Sequence, residues 1–160
     1  MPAQRALHPW PSDAERAIDI QCSLRDRLEL SWDGRPVHRV GGVDVAYRDG
    51  QGIAHPRRFG LAAHLGMWLD VPSIGVAKSH LYGNSLNEPG PLPGDFTPLL
   101  DEKDSQQVIG AVLRTRSGSQ PLYVSPGHRM DVENAVLFVV HCCRGHRLPE
   151  PSRMAHQLST

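Results

Sequence analysis

The sequence predicts an α/β fold, in which helices lie against a small mixed sheet. Two observations carry that reading. Apolar residues recur at helical spacing in two well-separated stretches, Ala14 to Leu28 and Val132 to Val140. Between them lie short runs of strand-forming residues, punctuated by glycine-rich turns at Asp33-Gly34, Asp49-Gly50-Gln51-Gly52 and Ser117-Gly118-Ser119. A chain of 160 residues, 39% hydrophobic and 21% charged, suits one domain spanning 1–160, with enough residues for one real core.

The first dozen residues, rich in proline, read as an extended arm. Ser12 and Glu15 have capping-box spacing, and Ala14, Ala17, Ile18, Leu24 and Leu28 predict an amphipathic helix over residues 12 to about 30. Arg39 to Tyr47 predicts a strand with Val43, Val45 and Tyr47 on one face and Asp44 on the other. Pro56 suits a first helical position, so a mostly buried helix is expected from there to Leu69. Ser73 to Ala77 reads as a short buried strand. Residues 82–105, full of Pro, Gly, Asn and Asp, read as a long surface loop or flap. Val108–Arg116 and Leu122–Ser125 form a strand pair. Asp131 caps a final helix that Leu148-Pro149-Glu150-Pro151 ends.

Several classes of function are excluded. The formal net charge is zero, so there is no basic coat, and nucleic-acid contact would have to be local. No apolar run is long enough to span a bilayer, and the first residues do not have the pattern of a signal peptide. The three cysteines, two of them adjacent at Cys142 and Cys143, make neither a disulfide framework nor a CxxC zinc pair. A cytoplasmic protein with free thiols and no membrane partner is expected.

Chemistry concentrates between Gly41 and Ser79. Asp44 is a carboxylate inside an apolar strand: a metal or catalytic ligand if the strand is central, a solvated residue if it is an edge. Asp49 before Gly50 is either ordinary turn chemistry or a second metal ligand. His55 is a helix-start neighbour or a donor to phosphate. Arg57 and Arg58 read most simply as a solvated first helical turn. Lys78, ending a buried strand, suits gripping a scissile phosphate. His128 is an ordinary loop histidine or a residue near a metal. Two aspartates with Mg²⁺ and water suit metal-assisted phosphodiester hydrolysis.

GGVDVAY, DGQGIAHPRRFGLAAHLG, DVPSIGVAKSHLYG, LRTR, PLYVSPGHRM and CRGHRLPEPSRMAH, in this order, strongly resemble the endonuclease V family from about residue 14 onward. The resemblance implies a ribonuclease H-like fold. It also implies a divalent metal, Mg²⁺ with Mn²⁺ as a substitute, and cleavage of DNA or RNA one phosphodiester 3′ beyond inosine, as in repair of deaminated adenine. By position, Asp44 and Asp49 resemble the family's metal aspartates, His128 its active-site histidine, and His55 and Lys78 its phosphate-side residues. Gly50, Gly60 and Leu81 fall where the family's hypoxanthine pocket is lined, and glycine there permits close backbone approach.

One departure stands out. The family places several dozen residues between the segments matching Val43–Tyr47 and Asp49–Pro56, holding strands, a helix, a Pro-Tyr wedge and a glutamate that completes the metal site. Here only Arg48 intervenes. Neighbouring parallel strands need a crossover of a dozen residues or more. Asp44 and Asp49 therefore share one strand–turn segment, up to ~17 Å apart if extended. Two functions remain in play. One is the family's inosine-directed endonuclease, monomeric as the family is. The other is a catalytically inactive inosine-binding remnant, whose exposed edges favour oligomers or aggregates.

Overall fold

Helix α1 runs over Ala14–Arg25 in the computed structural model, which describes residues 7–44 and 52–159. Its N-cap is Asp13 rather than Ser12. The Asp13 carboxylate accepts the Arg16 N–H at 2.8 Å, while the Ser12 hydroxyl donates to Asp13 instead. An ionised carboxylate meets the positive helix end better than a hydroxyl does. Hence the expected capping box does not form. The helix also ends about five residues sooner than its periodicity implies.

The strand expected over Arg39–Tyr47 is absent from its described part. Residues 39–44 have no regular structure, and Val40 and Val43 are 56% and 69% exposed. Strands are made by pairing, and among the described residues no strand lies beside this segment. Val45 and Tyr47 lie outside the described residues. Helix α2 spans Leu61–Leu69, starting well after Pro56. Residues 55–58 form a turn closed by the Arg58 N–H to the His55 carbonyl at 2.7 Å, and Gly60 is the N-cap.

Strands β1 (Ile74–Ala77), β2 (Phe96–Leu100), β3 (Val108–Leu113) and β4 (Leu122–Pro126) form one sheet in the order β1-β4-β3-β2. Every pairing among the described residues is antiparallel, where a mixed sheet was expected. Strand β2 lies inside the stretch read as a flap. Its Pro98 is tolerated because β2 is an edge strand of the sheet, paired along its length with β3 and met on its other side at Leu100 by Asn84. The register slips between Leu99 and Leu100, leaving Ile109 as the extra residue of a bulge in β3.

The bulge decides which core each β3 residue joins. Ala111 and Leu113 face Val124, Ala135, Val136 and Val139, whereas Ile109 and Val112 pack with Ile53, Ala54, Tyr82 and Leu99 on the opposite face. Each fully buried aliphatic side chain here stabilises the fold by about 1.5–3 kcal/mol. Helix α3 (Val132–Cys142) covers the first face. As expected, it is capped by Asp131, which accepts the Asn134 N–H at 2.8 Å and also the Trp32 N–H at 3.1 Å.

A further helix, α4 (Glu150–Ser159), follows where the sequence suggested an end. Pro149 and Pro151 sit at its start, where missing N–H groups cost nothing. The Arg147 guanidinium reaches the carbonyls of Lys78, Gln120 and Pro121. This ties the start of α4 to the exit of β1.

Candidate active site

Residues 41–44 lie along α4. A Cβ on Gly42 would meet the Pro151 carbonyl oxygen at 2.1 Å, so only glycine allows this approach. Two residues later Asp44 reaches the last turns of α4. Its Oδ2 accepts from His156 Nδ1 at 2.8 Å and from the Ser159 hydroxyl at 3.3 Å. His156 and Ser159, three apart, share one face of the helix. The His156 N–H, helped by Ser159 and the positive charge of Lys78, holds the Asp44 carboxyl below its usual value despite some desolvation. Asp44 is therefore an ionised carboxylate, oriented by His156 and Ser159.

His128 does not join this group. It is buried, with its N–H donated to Ser73 Oγ at 2.9 Å and its carbonyl accepting the Ser73 N–H at 2.9 Å. Its ring lies 3.6 Å from Asp70 and accepts the Glu29 N–H at 3.4 Å. Ser73 precedes β1 and Lys78 follows it, about 17 Å apart along an extended strand. His128 and Lys78 thus mark opposite ends of β1. The place next to Asp44 expected for His128 is taken by His156.

The remaining expected residues divide. Asp49 and Gly50 lie outside the described residues. His55 is buried, its Nδ1 accepting the Arg57 N–H at 3.2 Å. Gly60 is buried, and its N–H closes the loop onto the Gly52 carbonyl at 2.8 Å. Leu81 packs against the core that holds Tyr82 and Ile109. The Ser125 hydroxyl fastens this loop to the sheet by accepting the N–H groups of Gly52 and Ala54.

Arg57 and Arg58 are not a solvated helical turn. Arg57 donates to Gln21 Oε1 of α1 at 2.5 Å, and Arg58 pairs with Asp101, which is 4% exposed. Two things escaped the sequence reading: His156 with Ser159, and the Arg58–Asp101 pair. The first had a signal, since Pro149-Glu150-Pro151 is a sound helix start that sets His156 and Ser159 on one face. The second had none, because its partners are 43 positions apart in sequence.

Among the described residues, no group of three or more His, Cys, Asp or Glu side chains is arranged to hold a metal ion. No described helix is long and apolar enough to cross a membrane.

The family model for endonuclease V matches residues 37–157. The endonuclease V of Kosmotoga olearia is 35% identical over 216 aligned positions, covering 97% of this chain and 94% of the relative. That alignment is longer than the 160 residues here, so several dozen positions of the relative have no counterpart. Against several other curated relatives the chain spans about half their length. The Streptomyces avermitilis endonuclease V structure superposes with a TM-score of 0.83 at 31% identity, over 94% of this chain and 92% of that one. A Ciona intestinalis endonuclease V, crystallised with a 24mer DNA containing an inosine followed by a ribo-adenosine, matches at TM-score 0.56 and 28% identity. It covers 69% of this chain and 51% of that one. The α/β architecture is the ribonuclease H-like one of these neighbours. By the extent of these matches, the chain belongs to the endonuclease V family.

Proposed function

We propose that this chain is a divalent-metal-dependent endonuclease cutting DNA or RNA one phosphodiester 3′ beyond inosine. The observation that carries this is the Asp44 carboxylate, ionised and oriented by His156 and Ser159, with the charge of Lys78 adding a smaller favourable field. The Ciona relative, crystallised on inosine-containing DNA, supports the substrate class.

An ionised carboxylate is the hard oxygen donor that Mg²⁺ or Mn²⁺ takes. Asp44 meets that requirement. The described residues bring it no complete ligand set, so Asp49 would have to supply a second carboxylate. When bound, such an ion polarises the phosphate and makes a hydroxide available at neutral pH. The chain's own residues do the rest. Lys78 holds a phosphate oxygen and opposes the charge that builds there. His156 keeps the Asp44 carboxylate turned and deprotonated. The family resemblance assigns His55 to the phosphate side and Gly50, Gly60 and Leu81 to the base pocket.

A second reading, an inosine binder that does not cut, is favoured by one observation. Several dozen positions of the full-length relative have no counterpart in this chain. Both readings meet one experiment: a labelled single-stranded oligonucleotide with one inosine, incubated with Mg²⁺ beside an Asp44→Ala variant. A nick at the second phosphodiester 3′ of inosine, lost in the variant, is expected. Retention of the oligonucleotide without a nick, unchanged by the variant, would establish the binder instead.

A further inference from the structure

Asp101 is one of the most enclosed charged groups described, at 4% exposure. Burial pushes its carboxyl upward. The Lys103 N–H at 2.6 Å, the Tyr82 hydroxyl at 2.9 Å and the Arg58 guanidinium together outweigh that and hold it below the usual carboxylate value. A buried charge persists only when paired and hydrogen-bonded in this way. Its partners come from separate segments. Arg58 belongs to the loop 52–60, between His55 and Gly60, and also reaches Gln107. Tyr82 follows Leu81, four residues beyond Lys78. The same end of β2 and the corner after it hold that second segment again, through the paired Asn84–Leu100 backbone bonds at 2.8 Å and the Gly83 N–H to Glu102 at 3.1 Å.

Arg58 itself has φ +58°, a left-handed backbone that a residue with a Cβ adopts only when its surroundings require it. The ion pair supplies that requirement. One guanidinium nitrogen, Nη2, meets both Asp101 and Gln107.

We propose that Asp101 is a positioning residue for base recognition. Its carboxylate, through Arg58 and Tyr82, fixes the loop bearing His55 and Gly60 against the segment bearing Lys78 and Leu81, and so sets the slot that admits the hypoxanthine base. This rests on the assignment of those residues to the substrate given above. Asp101 touches neither the base nor the reacting phosphate. Losing it widens the slot without removing a reacting group.

The test uses the full chain with Asp101→Asn, followed by amide hydrogen exchange and by KM and kcat on inosine- and adenosine-containing oligonucleotides. Exchange is expected to rise at least about tenfold in residues 52–60 and 78–84 together, the scale of losing a charged hydrogen bond. KM for the inosine substrate rises more than kcat falls, the preference for inosine over adenosine shrinks, and Asp101→Glu restores part of it. A folded Asp101→Asn protein with faster exchange confined to 101–107, or with unchanged inosine preference, overturns the proposal. Should circular dichroism show that variant unfolded, Tyr82→Phe removes a single bond and gives the same readouts in smaller measure. If the unaltered chain neither cuts nor binds inosine oligonucleotide, the functional reading falls, and the exchange pattern still decides whether Asp101 couples the two segments.

Discussion

His156 and His128 belong to separate groups and are set in opposite circumstances. His156 is half exposed and donates to a carboxylate, whereas His128 is buried among backbone groups and Ser73. His156→Ala should lower cleavage of inosine oligonucleotide by about 10–100-fold, the usual cost of losing the partner that orients a ligand carboxylate. His128→Ala should instead cost about 1–3 kcal/mol of stability, through lost buried hydrogen bonds, and leave kcat of the folded protein unchanged. Steady-state kinetics with a denaturant melt separate the two, and reversal of the pattern would return His128 to the site. A carboxylate held low in the fold stabilises above its ordinary value of 3.8 and loses that contribution as pH falls through the lowered one. The Asp44 carboxyl is thus ionised throughout the neutral range, and its titration followed by NMR should move up toward the ordinary value in His156→Ala. Asp44 and Lys78 stand out in the sequence because each is a charge beside an apolar run. His156 does not, since a single histidine in a short polar segment carries no signal until the helix that aims it is known.

Among the elements, the arm before α1 is tied down by rings rather than by backbone. His8 Nε2 lies 2.7 Å from His64 Nε2, and Trp68 stands edge-on to both His8 and Trp10 at 4.8 and 5.8 Å. One imidazole must donate and the other accept, so at least one ring is neutral. Burial, then the neighbouring His8, holds His64 below its ordinary value of 6.5. Above 6.5 neither the docked nor the released arm gains a proton at His64, and docking is whole. Below it, the released form binds a proton that the docked form refuses, and docking weakens. Tryptophan emission should shift as pH is lowered from 7.5 to about 5, and His64→Gln should abolish the shift. If emission is flat in the unaltered protein, docking of the arm does not depend on His64. Strands β1, β3 and β4 and helix α3 were legible because their apolar runs are bounded by turn residues and a cap. Strand β2 was hidden by Pro98, which is harmless only at a sheet edge, and α4 by prolines that start a helix as readily as they stop one. The strand expected at Arg39–Tyr47 failed for the converse reason: a β pattern needs a neighbour to pair with, and sequence does not say whether one is there.

At the scale of the whole molecule, two apolar layers hang on one strand. Leu113 is fully buried in the layer under α3, and Ile109 is fully buried in the layer around Tyr82 and Leu99. Each sits in β3, hydrogen-bonded to β2 on one side and β4 on the other. Removing either side chain leaves a cavity that close-packed neighbours fill only in part, at about 2–5 kcal/mol. Against a typical total of about 5–15 kcal/mol for a domain, either loss is severe. If the chain is one cooperative unit, Leu113→Ala and Ile109→Ala should each move a single transition, and near- and far-ultraviolet circular dichroism should move together in both. Two separated transitions, one sensitive to Leu113 and the other to Ile109, would mean that the layers fold apart. A shared strand argues against that outcome, because β3 cannot lose its partners on one face and keep the backbone bonds that order the other.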